Sequence, residues 1–219
     1  AFISLFEQSS EIDLNDVFAL AFRLHRDAQG GVGSGIDIAA STYGGYLQFS
    51  PTGNGGDLPS VDSLEEADDL FVLPIFTGES AGTVDLVKEV YLFRDTQTEQ
   101  YGRLLGGLRE LSAAGVRSFQ ERDLQAFLKT VTEYSKRLGA LGNACGAPII
   151  SAVHQRADEA VGALGGTYKI SGAGGGDFGL AFFRDGEAAE NAKTQLKLNG
   201  WEIPPLRFGC EGVQVSAQS

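Results

Sequence analysis

The stretch Lys169-Ile-Ser-Gly-Ala-Gly-Gly-Gly-Asp177 carries four glycines and one alanine in a run of six residues. It is entered from a short β-prone segment (Tyr168, Lys169, Ile170) and left through an apolar one, Phe178 to Phe183. Almost no side chain stands between such a loop's backbone N–H groups and a ligand. Glycine also reaches φ > 0 conformations that turn successive N–H groups toward one point. The ligand that suits this arrangement is an anion, most often a phosphate. Taken alone, the run reads as a tight hairpin or a flexible surface loop.

A second element lies upstream, Gly30-Gly-Val-Gly-Ser-Gly-Ile-Asp37-Ile-Ala-Ala-Ser-Thr-Tyr-Gly-Gly45. Glycines lead into Gly33-Ser34-Gly35, and Asp37 then opens a small-residue segment, Ile38 to Ser41, that reads as a short helix. Asp37 has two readings. It is a first-turn carboxylate favoured by the helix dipole, or a carboxylate in a glycine-walled site that orients a substrate hydroxyl or takes its proton.

The two elements, in this order, resemble those of the GHMP kinases, the superfamily of galactokinase, homoserine kinase, mevalonate kinase and phosphomevalonate kinase. Lys169–Asp177 is similar to their third motif. Ser34-Gly35-Ile36-Asp37 is similar to the Ser-Gly-x-Asp context of their catalytic aspartate. Phe76-Thr-Gly-Glu-Ser-Ala-Gly-Thr-Val-Asp-Leu-Val87 resembles their Thr-Gly-x-Ser-Ala-x-Thr segment. Within the superfamily, Gly33–Gly45 looks most like the phosphomevalonate kinases.

The resemblance implies ATP and Mg²⁺ as cofactors and a small phosphorylated or hydroxy-acid substrate. Asp37 is implied as the catalytic base or orienting carboxylate. Ser34, Gly35, Thr77, Ser80 and Thr83 are implied as substrate contacts. Ser171, Gly172, Ala173, Gly174 and Gly175 are implied as the phosphate loop. The reaction expected is transfer of the ATP γ-phosphoryl group to phosphomevalonate in isoprenoid (mevalonate pathway) metabolism. The alternatives are mevalonate kinase or another GHMP kinase, and a non-catalytic GHMP-like binding module. Such a transfer needs alignment and charge neutralisation more than covalent chemistry.

The chain also departs from the family pattern. The Gly-Leu-Gly-Ser-Ser-Ala-Ala-type motif that wraps the ATP phosphates is not in the sequence. Ala1–Phe6 looks like the helix that follows it. Where the family often supplies a metal-binding Glu, this chain reads Leu24-His25-Arg26-Asp27, so the metal ligands stay unassigned. The chain has no Met. The expectation is a C-terminal portion of a longer protein, with apolar Phe2, Leu5 and Phe6 covered by the remaining segment or by a homodimer partner.

Composition narrows the function classes. A net charge of −12 and 42% apolar residues fit a globular chain and argue against nucleic-acid or anionic-membrane partners. No run is long and apolar enough for a membrane span. Cys145 and Cys210 are too few for a disulfide scaffold and read as reduced core thiols in a cytoplasmic protein.

The elements that must position these residues follow from pattern. A first helix carries Val17, Leu20, Ala21 and Leu24 on one face, with Asp13 or Asn15 as its cap. A strand is expected at Tyr46–Phe49. The turn-rich residues 51–60 form the boundary between residues 1–52, the end of the GHMP N-terminal domain, and the C-terminal domain of residues 60–219. The acidic Glu65–Asp69 stretch reads as a solvated turn. Leu70–Phe76 reads as a buried strand, with Pro74 indicating an edge or a bend. Helices are expected at about 83–93 and 100–111. A further one starts at Ser118, where Ser118 and Glu121 make a capping-box pattern. Its apolar face is Leu124, Phe127, Leu128, Val131, Tyr134 and Leu138. Pro148 starts the next helix, another runs over Glu187–Leu198 with Gly200 as its stop, and 201–208 and 212–215 are strand-like. The fold class is α+β, GHMP kinase-like, with a ferredoxin-like C-terminal domain of antiparallel sheet and helices packed on one side. His154 reads as a surface or packing histidine, Lys88 as solvated, Trp201 as core. Lys169 either reaches a phosphate or faces solvent.

Overall fold

The computed structural model describes residues 13–28, 30, 33–52, 57–80 and 82–214. The expectations for Ala1–Phe6 and for Val215 lie outside them. The chain divides into two compact units, residues 1–66 with 207–219, and residues 67–206.

In the first unit, α1 (Leu14–Ala28) leads to α2 (Ile36–Tyr43), and β1 (Tyr46–Ser50) pairs antiparallel with β2 (Ser60–Leu64). Asp13 caps α1, its Oδ1 accepting the Asn15 N–H at 2.8 Å. The buried stripe of α1 is Phe18 and Phe22, not the expected Val17–Leu24 face; Leu24 is exposed. Two aromatic rings one turn apart bury more apolar area than the aliphatic stripe beside them. They pack with Ala39 of α2, and Ile38, Tyr43, Leu47, Phe49 and Val61 close around them. The turn-rich residues 51–60 join two paired strands rather than two units, because β2 is hydrogen-bonded back onto β1. The division falls after Glu66 instead.

The second unit is built on a three-stranded antiparallel sheet in the order β3-β5-β4, from β3 (Phe71–Phe76), β4 (Thr167–Ile170) and β5 (Phe178–Phe183). Pro74 lies on β3, at the edge, where its missing N–H removes no bond to a further strand. Leu73, Ile75, Tyr168, Ile170, Ala181 and Phe183 share one face and enter the core. Phe182 points to the other face, and that face is covered too. Phe182 is buried, with its ring edge-on to Phe127 at 6.1 Å.

The helices are α3 (Thr83–Thr96), α4 (Thr98–Gln120), α5 (Leu124–Cys145), α6 (Ala152–Ala163) and α7 (Gly186–Leu198). The apolar face expected for α5 holds: Leu124 and Val131 are buried, and Tyr134 and Leu138 pack on the core. Its start does not. Ser118 lies in the last turns of α4, its Oγ donating to the Ala114 carbonyl, and Asp123 is the cap, accepting the Ala126 N–H at 3.0 Å. Pro148 sits in a turn, and α6 begins only after Ser151. Neither 201–208 nor 212–214 forms a strand: the first holds one isolated bridge, Glu202 to Phe76, and the second none, the other bridge pairing Gly44 with Glu211 just before it. Pro204 and Pro205 carry no N–H with which to extend a ladder. Cys145 is half-buried but Cys210 is exposed, so the second thiol is not a core group. Among the described residues, no helix is long and apolar enough to cross a membrane.

Candidate active site

The Asp37 turn lies in the first unit. Gly35, at φ 73°, is the residue before α2, and its carbonyl accepts the Ala39 N–H at 3.0 Å. Only glycine fits there, because a Cβ would overlap the Phe22 ring. The aromatic stripe of α1 thus fixes where α2 begins. Ser34 is exposed, and its Oγ accepts the Ile36 N–H at 3.4 Å. Asp37 is in the first turn, with its side chain 64% exposed and Oδ2 3.9 Å from His25 Nε2. His25, which the sequence placed near a metal-ligand slot, is therefore beside this carboxylate.

The far end of α2 is clamped. Gly45 donates to the Cys210 carbonyl at 2.8 Å, and Val213 donates to the Thr42 carbonyl at 3.1 Å. Side chains at Gly44 or Gly212 would collide with the opposing backbone. Residues 207–214, which carry no functional motif, hold the helix that presents Asp37.

The glycine-rich turn lies in the second unit, between β4 and β5. Ser171 donates its N–H to Phe178 at 2.9 Å, Gly175 to the Ile149 carbonyl at 2.9 Å, and Asp177 to the Glu79 carbonyl at 2.7 Å. Thr77 donates its N–H to Asp177 at 2.8 Å, so the segment after β3 and the glycine-rich turn are stitched together. Gly172, Gly174, Gly175 and Asp177 all have positive φ. Among the described residues, no hydrogen bond engages the N–H of Gly172, Ala173 or Gly174. Gly172 is exposed, Ala173 half-buried and Gly174 buried. The open N–H groups are thus at the start of the turn. Gly175, expected among the phosphate-facing residues, gives its N–H to Ile149 instead.

The polar residues after β3 divide. Thr77 is half-buried, and its Oγ1 exchanges hydrogen bonds with the Glu79 backbone at 3.3 Å. Ser80 is exposed, and Thr83 is the exposed first residue of α3. Lys88 is solvated beside Asp85, as expected. Lys169 does not face solvent. Its Nζ donates to the Ile170 carbonyl at 2.9 Å and lies 5.4 Å from the centre of the Tyr134 ring, and burial pushes its pKa down.

His154, which the sequence reads as a surface or packing histidine, is a packing one. It is buried at 1% exposure on α6. Nδ1 is 2.8 Å from the Tyr168 hydroxyl and Nε2 is 3.1 Å from the Gly176 carbonyl. Burial lowers its pKa, with the Gly176 carbonyl and the Glu79 and Asp177 carboxylates pulling the other way. No group of three or more His, Cys, Asp or Glu side chains converges among the described residues, so no metal ligand is assigned.

Comparison with known proteins agrees with this architecture. Residues 116–200 match the family described as GHMP kinases, C terminal. The chain is 27% identical over 204 residues to a phosphomevalonate kinase of a Streptomyces strain, covering 83% of this chain and 54% of that protein. It therefore spans about half the length of the curated relative it matches. The Streptococcus pneumoniae phosphomevalonate kinase, solved with phosphomevalonate and AMPPNP, superposes with a TM-score of 0.74 at 20% identity, over 92% of this chain and 63% of that one. The L. major mevalonate kinase, solved with R-mevalonate, gives 0.73 at 19% identity, over 88% and 58%. The α+β fold of this chain is GHMP kinase-like. Its resemblance to that superfamily holds both in the sequence match and in the fold, and a phosphomevalonate kinase is among its relatives.

Proposed function

We propose that this chain is the part of an ATP- and Mg²⁺-dependent GHMP-type kinase that carries the catalytic aspartate and the third motif, and that its acceptor is phosphomevalonate. The observation that carries the reading is the glycine-rich turn. Neighbouring backbone N–H groups at Gly172 and Ala173 are open and unengaged, on a turn pinned at both ends. That donor set fits phosphate oxygens, which accept hydrogen bonds readily from ordered backbone N–H groups. The Streptomyces phosphomevalonate kinase relative and the Gly33–Gly45 segment support the choice of acceptor.

When bound, ATP supplies the γ-phosphoryl group and Mg²⁺ offsets its charge. Gly172 and Ala173 donate N–H groups to phosphate oxygens and hold them in place. Asp37, on the first turn of a clamped helix, orients the acceptor and is able to take a proton from it. With a phosphate acceptor the attacking oxygen is already ionised near neutral pH, so orientation is the larger part of its work. Ser34, Thr77, Ser80 and Thr83 offer hydroxyls to a polar acceptor. The expected location is the cytoplasm.

Replacing Asp37 with Asn in the complete gene product tests the assignment. ADP release should fall by about 10²-fold, the scale of loss when a reacting group is no longer aligned. Melting should be unchanged, because the side chain is largely exposed. Wild-type turnover in this variant would remove Asp37 from the reaction.

A further inference from the structure

His154 and Tyr168 form a buried hydrogen-bonded relay that ends on the glycine-rich turn. A carbonyl oxygen only accepts, so Nε2 of His154 must carry the proton that reaches Gly176. Nδ1 is then the acceptor, and the Tyr168 hydroxyl donates to it. The imidazole is neutral, and both its nitrogens are satisfied. The path of the tyrosine is set by Gly179 on β5: any Cβ there would overlap the Tyr168 hydroxyl. The order of dependence runs from Gly179, which makes room, to Tyr168, which fixes the tautomer and ring of His154, to the Gly176 carbonyl. Gly176 lies between Gly175, held by Ile149, and Asp177, held by Glu79. Each of these bonds fixes one peptide of the turn.

We infer that His154 is a positioning residue: by holding the Gly176 carbonyl it keeps the glycine-rich turn in the conformation that leaves the N–H groups of Gly172 and Ala173 presented to an anion. This rests on the phosphate-binding reading of the turn proposed above. An apolar side chain serving only to fill the core would need neither partner. A phenylalanine in its place would keep the volume and lose both bonds.

The test uses the complete gene product with Tyr168→Phe and His154→Phe. Tyr168→Phe removes one hydroxyl and keeps the ring, so it remains informative if His154→Phe does not fold. In the wild type, ¹⁵N resonances of His154 should report protonated Nε2 and unprotonated Nδ1. Both variants should speed amide exchange at Gly175 and Asp177, whose N–H groups are bonded to the Ile149 and Glu79 carbonyls, by about three- to tenfold, the loss of one hydrogen bond, while β4 and β5 keep their protection. The KM for ATP should rise by a similar factor, with kcat changed less. Exchange at the turn equal to wild type would overturn the inference. So would acceleration spread evenly over β4 and β5, a protonated Nδ1, or an unchanged KM. Exchange and tautomer are read without turnover. A wild-type protein with no kinase activity would thus sink the proposed function, while these two readouts still decide whether His154 holds the turn.

Discussion

Gly174 and Ile149 are in backbone contact: a Cβ on Gly174 would overlap the Ile149 carbonyl oxygen and come within 2.8 Å of Ile170 Cδ1. The same carbonyl accepts the Gly175 N–H. The loop before α6 and the glycine-rich turn therefore fit only while residue 174 has no side chain.

Two glycines of the turn should respond differently to alanine. Gly174 has φ 86° and no space, whereas Gly172 has φ 70° and nothing within 4 Å. Gly172→Ala should cost about 1–2 kcal/mol, the left-handed strain alone. Gly174→Ala adds a backbone clash and should cost about 2–4 kcal/mol. Denaturant midpoints of the two variants decide it. Equal losses would mean that the Ile149 contact relaxes freely.

The cap of α5 offers a second contrast. Asp123→Ala should lose about 1 kcal/mol, as caps generally do. Ser118→Ala, inside α4, should stay within about 0.5 kcal/mol of wild type. A larger loss at Ser118 would restore the capping box suggested by the sequence.

This pair also marks what the sequence makes legible. Ser118 and Asp123 are both capping residue types near one helix start, and local pattern does not choose between them. The choice is made by packing: Phe119 is buried at the end of α4 with its ring 5.5 Å from Phe127, which requires α4 to continue past Ser118. The interior of α5, by contrast, repeats its apolar face over many turns and is readable directly. The Asp37 and glycine-rich turns were visible as motifs, because positive-φ backbone demands glycine. His154 was not, because its partners lie 14 and 22 residues further along the chain. No local spacing announces them. On α1 the sequence pattern points to the Val17–Leu24 face, and only the closure of Phe22 over Gly35 selects the aromatic one.

Stability should depend on pH through His154. Its folded pKa lies below the ordinary 6.5, chiefly from burial. Below 6.5 the unfolded chain binds a proton that the folded chain refuses. The stabilisation is thus complete above 6.5 and is lost as pH falls through the lower folded value. The groups around the imidazole are Tyr168 on β4, Glu79 after β3 and Asp177 on the turn, with Asp158 on α6 and Lys136 on α5 lining the adjoining cavity. Denaturant midpoints between pH 7.5 and 5.5 should fall more steeply for wild type than for His154→Phe. Parallel slopes would show that His154 does not titrate in this window.

The proposed reaction is phosphoryl transfer to phosphomevalonate. The most direct measurement is ADP release by the complete gene product, with Mg-ATP and either phosphomevalonate or mevalonate in parallel. Turnover is expected with Mg-ATP and phosphomevalonate present, with a clear preference for phosphomevalonate over mevalonate. Preference for mevalonate would contradict the acceptor, and no ADP release with either would contradict the proposed kinase reaction on these acceptors.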